Sequence, residues 1–184
     1  SISGAITGEK NRQKLFHKII HAAITNTGAM SACIFEKKSD ERFYRIAVEG
    51  LFPPQNQASI TALKHSSSRT DFIKNAYETE SYSSGEGLVG SVAKTGKPVL
   101  ISRAKNDPRV IQHDDSALHI HSLMLAPVTY DDSLIAILAV ANPLSGVPFD
   151  AMDFSLLQSL AGQVGLAIQN STTIQLQNKK NKID

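Results

Sequence analysis

The 184-residue chain has one cysteine, Cys33, so no disulfide can form within it, and a reducing, cytoplasmic setting is expected. It has no apolar run long enough to span a bilayer and no apolar core of a signal peptide near its start, so no membrane role is expected of this segment. It also lacks charge of one sign. The formal net charge is +2, and the only dense basic run, Lys179-Lys180-Asn181-Lys182, reads as a solvated tail, so nucleic acid is not an expected partner. No Walker-type phosphate loop, nucleophile elbow or pair of catalytic carboxylates stands in a recognisable context. What remains is an ordinary globular composition, 41% hydrophobic and 20% charged, which argues for an ordered chain. The length suits one domain with a full core. The chain opens on Ser1 rather than methionine and is helically patterned at both ends, so residues 1–184 are expected to be one domain cut from a larger protein.

The first ten residues are small and polar and read as frayed. Over residues 10–27 apolar positions recur at helical spacing in two stripes, Leu15–Ile19–Ala22 and Phe16–Ile20–Ala23. One stripe suffices for the helix's own core, so the second is expected to face another subunit. Met30–Lys37 and Arg42–Glu49 read as an antiparallel hairpin around Lys38-Ser39-Asp40-Glu41. Residues 50–80 read as an insertion or lid, with a helical turn at Ser59–Lys64 and a loop at Ser66-Ser67-Ser68. Pro98–Ile101 is expected to be an edge strand, since proline cannot donate to a ladder. Ser122–Thr129 and Leu134–Asn142 are the last two strands, and the second is apolar on both faces, so both sides of it are covered. Residues 149–177 form a long helix with stripes Leu157–Ala161–Val164–Ile168 and Leu156–Leu160–Ala167–Ile174.

The most specific stretch is Ser84–Pro98, SGEGLVGSVAKTGKP. Gly85 and Gly87 open a short apolar segment, and Gly96 closes it with the punctuation of a left-handed cap. A helix start left bare by glycine directs unpaired N–H groups and partial positive charge outward, which suits a phosphate.

Followed in order by VLI (Val99–Ile101), DPRV (Asp107–Val110), SLMLAPV (Ser122–Val128) and SLIAILAVAN (Ser133–Asn142), this stretch resembles the GAF family of small-molecule sensor domains over nearly the whole chain. The resemblance implies an α/β (α+β) fold: a central antiparallel sheet of five or six strands, terminal helices on one face and a ligand pocket on the other. It implies a cyclic nucleotide, cAMP or cGMP, as regulatory ligand and no further cofactor. It also implies a homodimer, with 10–27 as dimerisation helix, and with 149–177 as a signalling helix continuing into an output domain such as a cyclase, phosphatase or histidine kinase. Such domains carry a signature of Asn-Lys, then Phe, three residues and Asp-Glu. Here Asn142, Phe149 and Asp153 match, while Pro143 and Phe154 depart.

Aligning strands carries the family's pocket onto Cys33 on the first strand, Val48 and Glu49 ending the second, and Gly87, Leu88 and Val89 at the phosphate-cradling helix start. His113, Ser116 and Ile120 fall in the segment that closes over the ligand, and Ala139 replaces a purine-contacting acid. Arg109 either reaches an anion or belongs to a turn held by Asp107. Asp114-Asp115 read as caps of a short helix. Cys33 has the pattern of a buried small hydrophobe as well as of a ligand contact. His113, His119 and His121 read as surface or hydrogen-bonded histidines rather than metal ligands. The leading functional expectation is a non-enzymatic sensor. The runner-up is a dimerisation module with a degenerate pocket. A thiol enzyme of the free methionine sulfoxide reductase type comes third, because its cysteines are absent and exchange needs a partner sulfur.

Overall fold

The computed structural model describes residues 2–183. Six strands form one antiparallel sheet in the order β3-β2-β1-β6-β5-β4. They are β1 (Ala29–Lys37), β2 (Phe43–Glu49), β3 (Ser81–Tyr82), β4 (Val99–Ile101), β5 (Leu123–Tyr130) and β6 (Ser133–Pro143). The helices are α1 (Ile2–Thr27), α2 (Gln57–His65), α3 (Arg69–Thr79), α4 (Gly87–Thr95) and α5 (Ala151–Ile183), with a 3₁₀ turn at Ser116–Leu118.

The two-residue period of the strands divides the interior in two. Ala32 and Ile34 of β1, Met124, Ala126 and Val128 of β5, and Ala136, Leu138 and Val140 of β6 point to one face. There they meet Phe16, Ile19, Ile20 and Ala23 of α1, and Leu157, Ala161, Val164 and Ile168 of α5. Both terminal helices thus lie on the same face, as expected. The alternate residues Cys33, Phe35, Leu123, Leu125, Ile137, Ala139 and Ala141 point to the other face, beneath Phe52, Tyr82, Leu88, Val92 and Ile120. That face is packed as a second core.

Several boundaries differ from the sequence reading. Helix α1 runs back to Ile2, through the residues read as frayed. Both of its stripes are used inside the chain. Phe16, Ile19, Ile20 and Ala23 are buried and Leu15 and Ala22 pack against the same cluster, because α1 lies against α5 as well as the sheet. The insertion 50–80 folds into two helices, with Ser68 capping α3 by accepting the backbone N–H of Asp71 at 3.2 Å, followed by the short strand β3. Helix α5 starts at Ala151, two residues after Phe149, because Asp150 and Asp153 each accept the other's backbone N–H (3.0 and 2.9 Å) in a capping box. It continues to Ile183.

The three retained signature residues act as structural locks. Asn142 sits at φ +63°, accepts the His121 N–H at 2.7 Å and donates to His119 O at 2.9 Å. Phe149 is buried, and its N–H donates to Ser122 Oγ at 3.0 Å. Together they tie the ends of β6 and α5 to the segment entering β5.

Candidate functional site

The glycine-rich turn and α4 fold as the sequence suggests, and the reasons are local. Gly87 takes φ +62°, a left-handed conformation that L side chains rarely adopt, and a Cβ there would lie 3.3 Å from Gln55 O. A Cβ on Gly90 would lie 2.3 Å from Ser83 O, so only glycine lets the turn fold back over the helix. Gly96 ends α4 at φ +66°, with its N–H on Val92 O at 2.8 Å.

Glu86 precedes α4 without capping it by its side chain. Its carboxylate instead accepts Ser83 N at 2.9 Å and Arg42 Nη2 at 3.3 Å, and the Ser83 N–H bond, set against partial burial, holds it below the usual carboxylate range. Helix α2 likewise starts at Asn56 with no side-chain cap. The two bare starts meet at a cavity of about 420 Å³, lined by Gln55, Asn56, Gly87, Leu88, Ser91 and Arg109 among others. Its size falls within the range of small-molecule sites. Glu86 also lines the cavity, and Asp107 already pairs with the Arg109 guanidinium. The wall's suitability for an anion therefore rests on the backbone N–H groups of the two helix starts. Arg109 lies in the turn held by Asp107, which accepts its Nη2 at 2.7 Å and its backbone N–H at 2.9 Å, and it also lines the cavity.

The structure gathers only some of the sequence candidates. Gly87, Leu88 and Arg109 line the cavity. Val89, Cys33 and Ile120 lie next to it in sequence or sheet but are buried in the second core, with Val48 packed at its edge. Glu49 leaves this face altogether and meets His21 of α1, 3.1 Å from Nδ1. His113 is buried, donates from Nε2 to Pro54 O at 3.0 Å and meets the Phe72 ring edge-on, which pins the loop after β4 to the loop after β2. Ser116 opens the 3₁₀ turn, where Asp115 accepts the Ala117 N–H at 3.0 Å, the capping role expected of that pair. Among the described residues no three His, Cys, Asp or Glu side chains gather as a metal site.

Gln55, Asn56 and Ser91 line the cavity without having been singled out in the sequence. Gln55 makes the connection, because its side chain accepts Ile111 N at 2.8 Å and donates to Ile111 O at 3.0 Å, joining the same two loops. A glutamine mimicking a strand partner has no local sequence signature.

Behind the cavity a polar chain runs through the second core. Gln55 N donates to Tyr82 Oη at 2.9 Å, Tyr82 donates to Glu80, and Glu80 Oε1 accepts Arg45 Nε at 2.6 Å. Burial and the neighbouring Glu80 carboxylate push the Tyr82 phenol well up, and burial takes Tyr77 to about 12. Both phenols therefore stay protonated donors at neutral pH. Burial also pushes the Cys33 thiol far up. Cys33 is therefore expected to resist Ellman's reagent at pH 8 until the chain unfolds, with a reaction rate that tracks opening. Stoichiometric reaction of the native protein within the mixing time would show an accessible thiolate instead.

The fold is thus a helix-backed antiparallel sheet with a small-molecule-sized cavity on the side away from the terminal helices. A family model for the GAF domain matches residues 9–169, and the chain belongs to that family. It is 35% identical over 105 residues to the dual 3',5'-cyclic-AMP and -GMP phosphodiesterase 11A of Takifugu rubripes, a match covering 54% of this chain and 12% of that much longer protein. Among solved structures it resembles the GAF domain of an Acinetobacter phosphoenolpyruvate-protein phosphotransferase (TM-score 0.61, 16% identity, 94% of each chain). It also resembles the free methionine-R-sulfoxide reductase of Neisseria meningitidis (TM-score 0.60, 14% identity, 88% of this chain and 81% of that one). At these identities the structures share the fold alone. No described helix is long and apolar enough to cross a membrane.

Proposed function

We propose that this GAF domain is a non-enzymatic sensor that binds a cyclic nucleotide and reports occupancy to a linked output domain through α1 and α5. The observation that carries the reading is the cavity where the uncapped starts of α2 and α4 meet Arg109. A phosphate there is held by backbone donors and helix dipoles, with few charged side chains needed. Gly87, Leu88 and Arg109 form the phosphate end. Cys33, Val48, Val89 and Ile120 back the base, and His113 and Ser116 belong to the segment that closes over it. The similarity to a phosphodiesterase named for both cyclic nucleotides supports the ligand class. Buried Cys33, with its raised pKa and no second thiol in the chain, weighs against thiol catalysis.

Homodimerisation belongs to the same proposal. Helix α5 keeps Met152, Leu156, Leu166 and Ile174 exposed, at 69, 38, 57 and 52%, along a helix otherwise packed on α1 and the sheet. The second reading, a dimerisation module with no ligand, is favoured by the packing of the second face. Cys33 is wholly buried there and does not reach the cavity.

Thermal melts separate the two. A cyclic nucleotide at about 100 times its Kd is expected to add about 2.7 kcal/mol, or roughly 5–10 °C for a chain of this size. The 5'-monophosphates, with a second charge on the phosphate, serve as the comparison. Ser91→Asp, which adds a second carboxylate to the cavity wall beside Glu86, is expected to abolish the shift without lowering the ligand-free melting temperature. No shift with any nucleotide at millimolar concentration decides for the dimerisation module.

A further inference from the structure

Arg45 is the most unusual side chain in the molecule. Only 2% of its side chain is exposed, and its Nε is taken by Glu80, yet neither Nη1 nor Nη2 has a hydrogen-bond partner among the described residues. Buried donors are paired in the great majority of cases, so two unpaired on one group require an explanation. Its placement results from a bulge. Ile34 pairs with Ala47 and Phe35 with Arg45, so Ile46 is the extra residue and Arg45 turns to the second face, beside Phe35. Three rings surround the guanidinium, with centroids 4.0 Å (Tyr77), 5.4 Å (Phe35) and 5.5 Å (Phe52) from its carbon.

We propose that Arg45 reads the base of the ligand, its two Nη groups donating to the adjacent acceptors O6 and N7 of a 6-oxopurine, so that the domain selects guanine over adenine nucleotides. The inference rests on the cyclic-nucleotide reading above. Three observations carry it. First, a guanidinium has only donors, and two neighbouring donors match an edge with two neighbouring acceptors. The corresponding edge of adenine offers N7 and an amino donor, which would place donor against donor in a buried site.

Second, the charge of Arg45 is already balanced by Glu80. A phosphate or carboxylate at this point would bury a net negative charge, whereas a neutral base adds none. The phosphate therefore belongs at the cavity, and the base at Arg45. Third, the flanking rings suit a planar heterocycle, which stacks on aromatic faces. The cavity adjoins this polar chain, because Gln55, which lines it, donates its backbone N–H to Tyr82 Oη. To reach the guanidinium, the base displaces Phe52, whose carbonyl accepts Tyr77 Oη at 2.9 Å. The Phe52 side chain is thus the group that moves, and the base takes the place of its ring. Gln55 keeps its bonds to Ile111 and its place in the cavity wall.

Calorimetric titration of the chain with cGMP, cIMP and cAMP tests this. Cyclic IMP carries O6, N7 and the N1–H but no 2-amino group, so it separates the 2-amino group from the rest of the base. Substitution of Arg45 separates the O6/N7 edge from N1–H. The expected result is that cGMP and cIMP both bind roughly 5- to 150-fold tighter than cAMP, the discrimination of one good bidentate pair. Arg45→Lys retains a cation for Glu80 but loses the paired donors, and is expected to bring the three affinities together. Should that variant fail to fold, 7-deaza-cGMP, which keeps O6 and N1–H but lacks the N7 acceptor, decides on the unsubstituted chain. It is expected to bind at least about 5-fold more weakly than cGMP, and equal binding overturns the role of Arg45. Cyclic AMP binding as tightly as cIMP overturns the role of Arg45 and leaves the nucleotide reading intact. Cyclic GMP binding tightly while cIMP is as weak as cAMP overturns it too, by placing the readout on the 2-amino group. Failure of all three to bind overturns the nucleotide reading, and the inference with it.

Discussion

Glu80→Ala is expected to destabilise the domain by about 3–5 kcal/mol, enough to unfold much of the population of a marginally stable chain. Glu80 is 1% exposed on its side chain, accepts Arg45 Nε at 2.6 Å and receives the Tyr82 hydroxyl. Its removal leaves a guanidinium buried among Phe35, Phe52 and Tyr77 with no carboxylate. The Coulombic attraction that offsets the cost of desolvating Arg45 disappears, while the desolvation remains. The double replacement Arg45→Met with Glu80→Leu removes both charges and is expected to recover most of the loss, since buried ion pairs exchange well for apolar groups. Urea unfolding of the wild type and both variants measures this. A single variant within 1 kcal/mol of wild type would mean that water reaches Arg45.

Phe16→Ala is the second large effect, also about 3–5 kcal/mol, or a fall in Tm of roughly 6–20 °C. Phe16 is 1% exposed and belongs to the cluster where α1 and α5 meet the sheet. The Arg12 guanidinium lies 4.7 Å from its ring centroid. Arg12 in turn pairs with Glu36 of β1 and donates to Thr172 Oγ1 of α5 at 3.3 Å, so one α1 turn holds strand and partner helix together. Truncation leaves a cavity at that junction. Leu166→Ala, at 57% exposure on α5, is expected to change stability by no more than about 0.5 kcal/mol in the monomer. A concentration-dependent loss of Tm in Leu166→Ala would instead reveal the α5 face as a subunit contact. Equal effects of Phe16→Ala and Leu166→Ala would show that α1 is only loosely docked.

How far the sequence could be read follows from where each signal resides. The strands β1 and β6 were legible because each is a short apolar run bounded by turn residues, and apolar residues on both faces of β6 announced cover on both sides. Helix α4 was legible because its ends depend on glycines whose conformations are set locally: Gly87 at φ +62° and Gly96 at φ +66°. Helix α2 was legible only as a turn at Ser59–Lys64 and α3 not at all, since each buries only a few residues. Ser59 is the one buried in α2, and Phe72 and Ala76 in α3, too sparse to leave a stripe. Strand β3 is two residues long and exists only because Phe43 and Tyr44 offer it a ladder. The reading of the second α1 stripe as a subunit face missed the neighbour within the chain, α5, which is 124 residues away at its nearest end.

The candidate site divides along the same line. Gly87 and Leu88 announce themselves because backbone donors at a helix start depend on the few residues around them. Gln55, Asn56 and Ser91 do not, because what places them is the meeting of two loops. The alignment of strands led to Cys33 and Glu49, but packing closed the core over one and turned the other to His21.

By itself the sequence determined where the principal strands and the terminal helices lie along the chain, and the bare start of α4. These follow from periodicity or from local backbone preference, which act within a few residues. The fold class and the common face of the terminal helices came from the resemblance to the GAF family. Only the tertiary structure decided that the insertion supplies a second helix start to the cavity, that the far face is a filled core, and that Arg45 lies buried with Glu80 and two unpaired donors. Those depend on a one-residue bulge at Ile46 and on contacts between segments tens of residues apart, whose energies arise only when the sheet has brought the segments together.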